Sequence, residues 1–187
     1  MGSFYTSHTL RGPSQRQVLD WLDGRSAFVS QTDREMTTVL DEACESQDGE
    51  DLAGLALQLS AHFHCPVLAV LNHDDDILYF ELYEDGEKTD EYNSSPGYFD
   101  EEVEDNSPRG GDALRLAAVF GASDAAAIET VLRNPDYVFA MERHDALATA
   151  LGLPKQCIGI GFNYADAGEF PPGTAPEYFS RSGGSGG

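Results

Sequence analysis

Positive charge is scarce in this sequence. Lys and Arg number 11 against 33 Asp and Glu in 187 residues, giving a formal net charge of -22. Lysine is nearly absent, present only as Lys88 and Lys155. So anionic a chain cannot hold a phosphate backbone by counterion release, which excludes sequence-independent nucleic-acid binding. Long apolar runs are also missing: none approaches the roughly 20 residues that cross a bilayer. No basic, then apolar, then small-residue leader is present, so no secretory signal is expected. Cysteine is sparse, with 3 residues, Cys44, Cys65 and Cys157, an odd count without short spacings. That excludes a disulfide framework. Cys65 and Cys157 adjoin apolar strand-like runs and read as buried thiols, which makes a cytoplasmic location the expectation. There is no Gly-x-Ser-x-Gly elbow. Gly110-Gly111-Asp112 precedes a helix but lacks the Lys of a phosphate loop. No internal repeat is visible.

What is present is enough apolar material for a core, with 41% hydrophobic residues. Phe4 to Leu10 alternates as a strand. Its start also matches the Met-Gly pattern of N-myristoylation, although a strand would hide that end in a sheet. Ser14 and Gln17 form a capping box before the stripe Val18, Leu19, Trp21 and Leu22. Two short strands follow, Ala27 to Val29 and Met36 to Leu40. Leu52, Leu55, Ala56, Leu59 and Phe63 recur at helical spacing. Pro66 opens Val67 to Leu71, a continuous run typical of a strand covered on both faces. Ile77 to Glu84 and Glu87 to Tyr92 make a hairpin through Asp85-Gly86. On the first of these strands Tyr79 and Tyr83 share one face, and Leu78, Phe80 and Leu82 the other. After a long loop, 93–111, the spacing predicts helices over 112–120, 124–133 and 137–151. Ile158, Ile160, Phe162 and Tyr164 then alternate as a last strand.

The expected fold is therefore one α+β domain over 1–179. It has a mostly antiparallel sheet with a ferredoxin-like βαββαβ core, extended by a β-meander, a C-terminal helical segment and a last strand. Helices on one face of the sheet are the usual solution for this class. Residues 180–187 have the composition of a flexible Gly/Ser linker and carry no functional reading.

The candidate site follows from charge and aromatics. Between Asp74 and Asp105 lie 14 acids and one base, Lys88. They group as Asp74-Asp75-Asp76 in a strand connection and as Asp100-Glu101-Glu102 in the long loop, beside Tyr98 and Phe99. Neither group has the Gly at the sixth position that a twelve-residue calcium loop needs. Aromatics anchor interfaces and flanking charge steers encounter, so these eight residues are the expected partner-binding surface. The bland alternative is a solvated acidic face with Tyr98 and Phe99 pinning the loop to the sheet. His62-x-His64-Cys65 ends a helix with its two histidines on different faces, a poor zinc arrangement.

Leu71-Asn72-His73-Asp74-Asp75-Asp76, Tyr83-Glu84-Asp85-Gly86, Asn93-Ser94-Ser95-Pro96-Gly97-Tyr98-Phe99, Glu142-Arg143-His144 and Leu151-Gly152-Leu153-Pro154 resemble a group of bacterial proteins of this size without an assigned activity. The resemblance covers most of the chain except the tail. It implies a soluble bacterial protein and brings no mechanism with it. The residues themselves point to a non-enzymatic protein-binding module, of immunity or antitoxin type, for a basic partner, with no cofactor. One alternative is a metal-dependent hydrolase using His73, Asp74 and Asp76. Another is that the acidity reflects a high-salt habitat, since acids also occur throughout 20–51.

Overall fold

The helices begin where side chains can satisfy their orphan amides. In the computed structural model, which describes residues 2–99 and 102–183, Ser14 caps α1 (Gln15–Trp21) with the complete reciprocal box to Gln17. Asp48 caps α2 (Gly49–Phe63), Asp112 caps α3 (Ala113–Phe120) and Asp124 caps α4 (Ala125–Arg133). Two further helices, α5 (Ala140–Leu151) and α6 (Phe162–Asp166), have Phe139 and Gly161 at their caps and receive no bond from them.

The strands are β1 (Tyr5–Arg11), β2 (Ala27–Ser30), β3 (Met36–Asp41), β4 (Val67–His73), β5 (Ile77–Glu84), β6 (Glu87–Asn93), β7 (Arg109–Gly110) and β8 (Phe179–Ser182). They form one 8-stranded sheet in the order β7-β6-β5-β4-β1-β3-β2-β8. Every neighbouring pair is antiparallel. The protein is thus a mixed α+β structure with a mainly antiparallel sheet, as expected.

Period-two alternation sends the two sides of each strand into different cores. Leu10, Val39, Val67 and Ala69 face α1 and α2, with Leu52, Leu55 and Leu59 opposite. Leu68, Val70, Leu78, Phe80, Leu82 and Tyr92 face α3, α4 and α5. Helices therefore cover both faces, not one. The physical reason is the second apolar row on β4 and β5, which needs its own cover. A smaller cluster of Leu40, Cys157, Ile160, Phe162 and Phe179 closes the β2–β8 end.

Two C-terminal expectations are corrected. Ile158 to Tyr164 is not a strand: Gly159 turns the backbone left-handed at φ 74°, and Phe162 already lies in α6. A side chain at Gly161 would also collide with Glu45 and Tyr5. The last strand lies further on, as β8, and it takes in Ser180, Arg181 and Ser182, which composition assigns to the tail. Residues 184–187 fall outside the described residues. All three cysteines are buried and unpaired by disulfide, as Cys65 and Cys157 were expected to be.

Helix α5 anchors the second face with polar side chains. Arg143 is 4% exposed. It donates to the carbonyls of Val131 (2.8 Å), Leu132 (3.3 Å) and Asn134 (2.7 Å) and to the Tyr92 hydroxyl (3.0 Å). Those carbonyls are the negative end of α4, so the buried cation meets a helix terminus in place of a carboxylate. One residue on, His144 Nδ1 lies 2.7 Å from the Tyr5 hydroxyl of β1. Burial pushes His144 down from 6.5 to about 4. As pH falls through this window the unfolded chain takes up a proton that the folded chain refuses. The His144 contribution is complete above about 6.5 and is lost towards 4, on the order of 3 kcal/mol in all. Urea unfolding of wild type and His144→Gln should therefore show a stability gap that narrows by about 2 kcal/mol from pH 7.5 to pH 4.5. Parallel loss in both proteins would contradict the assignment.

Candidate binding site at the 73–76 turn

The connection between β4 and β5 is a tight turn in which Asp74 and Asp75 adopt left-handed φ values of 51° and 60°. Aspartate tolerates this conformation better than bulkier residues. The Asp76 amide closes the turn onto the His73 carbonyl at 3.0 Å. Three consecutive carboxylates then project from one small loop, and each takes a different partner.

Asp74 Oδ1 accepts the Gly2 amide at 2.9 Å. Only glycine fits there, because a Cβ on Gly2 would lie 1.7 Å from the Asp74 carbonyl oxygen. Asp75 is 9% exposed. Its carboxylate accepts the Met141 amide at 2.8 Å and the Asn72 side-chain amide at 3.2 Å. Its carbonyl accepts the Ala140 amide at 2.7 Å. Asp75 is thus the N-terminal cap of α5, supplied from 65 positions upstream of Ala140, and it supports the surface from beneath. Asp76 Oδ2 accepts the Tyr98 hydroxyl at 3.2 Å. Local desolvation and this bond to a carboxylate both raise the Tyr98 phenol above its ordinary value.

Aromatic rings cover the turn. His73 stands edge-on to Phe4 and to Phe99, with centroids 5.0 Å away in each case, and to Tyr98 at 6.0 Å. Tyr98 and Phe99 pack edge-on at 4.8 Å. Tyr98 does pin the loop to the turn, yet Phe99 remains 73% exposed. Asn106 holds the loop in shape: its Oδ1 accepts the Gly97 amide at 2.7 Å, and its Nδ2 donates to Ser95 Oγ at 2.9 Å. Asp105 Oδ1 accepts the Ser107 amide at 2.9 Å, and bonding to Ser107 holds this carboxyl below the usual range.

Asp74, Asp75, Asp76, Tyr98 and Phe99 are therefore brought together. Glu102 is exposed in the turn beyond. Asp100 and Glu101 lie outside the described residues. Sequence reading missed the segment leading into α5, where Val138, Phe139 and Met141 are all exposed. The run Tyr137-Val138-Phe139 reads as the first turn of a helix, but α5 starts only at Ala140. Between this segment, Asp76 and the 94–108 loop lies a cleft of about 440 Å³, with Arg143 in its lining.

The three side chains of the hydrolase alternative are each engaged within the protein. His73 Nδ1 is taken by Gln47 at 2.7 Å, Asp74 by Gly2 and Asp76 by Tyr98. Among the described residues no three His, Cys, Asp or Glu side chains are placed to hold one metal ion. His62 packs on Trp21 and Phe63, while His64 Nδ1 meets Asp85 at 3.2 Å. Burial pushes the Cys65 and Cys157 thiols up to about 12 and about 11, far from the thiolate a nucleophile requires. Comparison with family models, with curated proteins and with solved structures gives no match.

The geometry ranks the three aspartates. Asp75→Ala should cost about 1–2 kcal/mol in chemical denaturation and speed amide exchange at 140–143. Asp74→Ala, which frees one terminal amide, should cost less than about 0.5 kcal/mol. Equal effects of the two would contradict the capping role.

Proposed function

We propose that the protein is a non-enzymatic binding module, of immunity or antitoxin type, that engages a basic protein partner through the surface around the 73–76 turn. The observation that carries this reading is the gathering of exposed apolar side chains at one place in a very anionic molecule. Phe4, Tyr98, Phe99, Val138, Phe139 and Met141 are all at least 37% exposed. They adjoin Asp74, Asp76, Asp105 and Glu142. Large exposed aromatics mark interaction sites, and flanking charge selects and steers the partner. A second copy of this chain is a poor occupant, because each copy carries a formal charge of -22.

Two further parts of the reading belong here. The segment β1-α1-β2-β3-α2-β4 is read as a ferredoxin-like unit. It is supported by the local order β4-β1-β3-β2, antiparallel throughout, with α1 and α2 packed into one core. A cytoplasmic setting is supported by three free buried cysteines. No helix among the described residues is long and apolar enough to cross a membrane.

The test is a titration of the isotopically labelled full chain with a synthetic peptide alternating Arg and Leu. Amide shifts should concentrate at 73–76, 95–99 and 138–142, and Phe99→Ala with Phe139→Ala should remove them. Converting Asp74, Asp76 and Asp105 to Asn should slow association more than it speeds dissociation. An unchanged on-rate at low salt would count against the reading.

A habitat origin for the charge is favoured by a separate observation. Of the 11 basic residues, nine already pair with acids (Arg11, Arg16, Arg25, Arg34, Lys88, Arg115, Arg133, Lys155 and Arg181). Exposed acids such as Asp23, Glu50, Glu87 and Glu169 are carried on or beside different elements of the fold. If self-repulsion dominates, the melting temperature should climb steadily as KCl is raised from about 0.1 M to about 1 M, where the Debye length falls from ~10 Å to ~3 Å. A flat response would remove this reading.

A further inference from the structure

The cleft beside the turn has a chemistry of its own, distinct from the open aromatic face. Its walls include Asp76 from the β4–β5 turn, Asp105 from the 94–108 loop, and Tyr137 and Phe139 from the approach to α5. Asp76 is bonded to the Tyr98 hydroxyl and Asp105 to the Ser107 amide, and neither carboxylate forms an ion pair among the described residues. Arg109, the nearest cation to Asp105 in sequence, donates to its backbone carbonyl at 2.8 Å and adds to the lowering of its carboxyl.

We propose that this cleft takes the guanidinium side chain of an arginine presented by the basic partner. The inference rests on the docking surface proposed above and names the side chain that fixes its register. Charge complementarity favours a cation over the other occupants. An anion would lie against Asp76 and Asp105. An apolar side chain would strip water from both carboxylates and return no hydrogen bond, which is costly. Arg143 lines the cleft too, but its donors are engaged. It is held by the carbonyls at the end of α4 and lies 4.7 Å from the centre of the Tyr137 ring. A second guanidinium can therefore enter on the carboxylate side. Arginine suits the site better than lysine because its planar fork can bond carboxylates bidentately and stack on aromatic faces.

The test uses the labelled full chain and three probes: N-acetyl-arginine methylamide, its lysine counterpart and its citrulline counterpart, which is nearly isosteric but uncharged. The arginine probe should shift the amides of Asp76, Ser95, Asn106, Ser107 and Phe139. The lysine probe should bind several-fold more weakly and the citrulline probe should not bind. Asp105→Asn should weaken the arginine probe about tenfold without lowering the melting temperature, since the carboxylate is exposed. Absence of these shifts while the Arg-Leu peptide still moves Phe99 and Met141 would overturn the cleft assignment and leave the docking surface standing. Absence of both responses would overturn both. Equal binding of citrulline would overturn the ionic basis, and equal binding of lysine the choice of guanidinium.

Discussion

The Asp75 carboxylate, buried at the bend between two central strands, is the contact on which the second face of this protein depends. It joins the sheet to the first turn of α5 through the Met141 amide, while its own carbonyl holds Ala140. Phe139 cannot cap the helix it precedes. The helix therefore starts where the turn presents a carboxylate, and its position fixes everything attached to it. Arg143 reaches from α5 to close the end of α4, and His144 reaches β1 through Tyr5. One charged group thus sets the placement of a helix, and two side chains on that helix lock its neighbours.

The same device recurs at α6. Gly161 offers no side chain, and Glu45, carried on a short turn after β3, accepts the Phe162 amide at 2.9 Å and the Asn163 amide at 3.4 Å. Burial raises the Glu45 carboxyl, and the bonds from Phe162 and Asn163 oppose that rise. Some of the acid excess is thus internal architecture. Carboxylates brought from distant positions complete helices that local sequence leaves uncapped, where they also meet the positive end of the helix dipole. The acidity of the chain and the stability of its fold are not separate subjects.

What remains outside is a surface with two characters. Over most of the molecule exposed acids are dispersed, with nearly every cation paired. Around the 73–76 turn they adjoin aromatic rings that the fold does not cover. Asp74, Asp75 and Asp76 are adjacent in sequence but do different work: one ties down the segment at Gly2, one supports α5, and one positions Tyr98. The apolar face exists because these three segments meet, so its shape follows from the turn beneath it.

Much of the fold was legible in local patterns. The capping box at Ser14 and Gln17, the helical stripe from Leu52 to Phe63, the Asp85-Gly86 hairpin and the division of β5 into a tyrosine face and a leucine-phenylalanine face all depend on residues close in sequence. The failures are as informative. Ile158, Ile160 and Phe162 alternate like a strand, but alternation reports burial, and two glycines at 159 and 161 let a turn and a helix bury the same residues. Ser180 to Ser182 carry no strand signal and become one because the edge of β2 is there to pair with. The turn at 73–76 and the aromatics at 98 and 99 were visible as a candidate site, whereas Val138, Phe139 and Met141 were not. Periodicity, caps and charge are properties of neighbouring residues, and the sequence by itself determined them. Which carboxylate is buried, which strand finds an open edge and which aromatics stay uncovered depend on contacts between distant segments, and only the tertiary structure decided them.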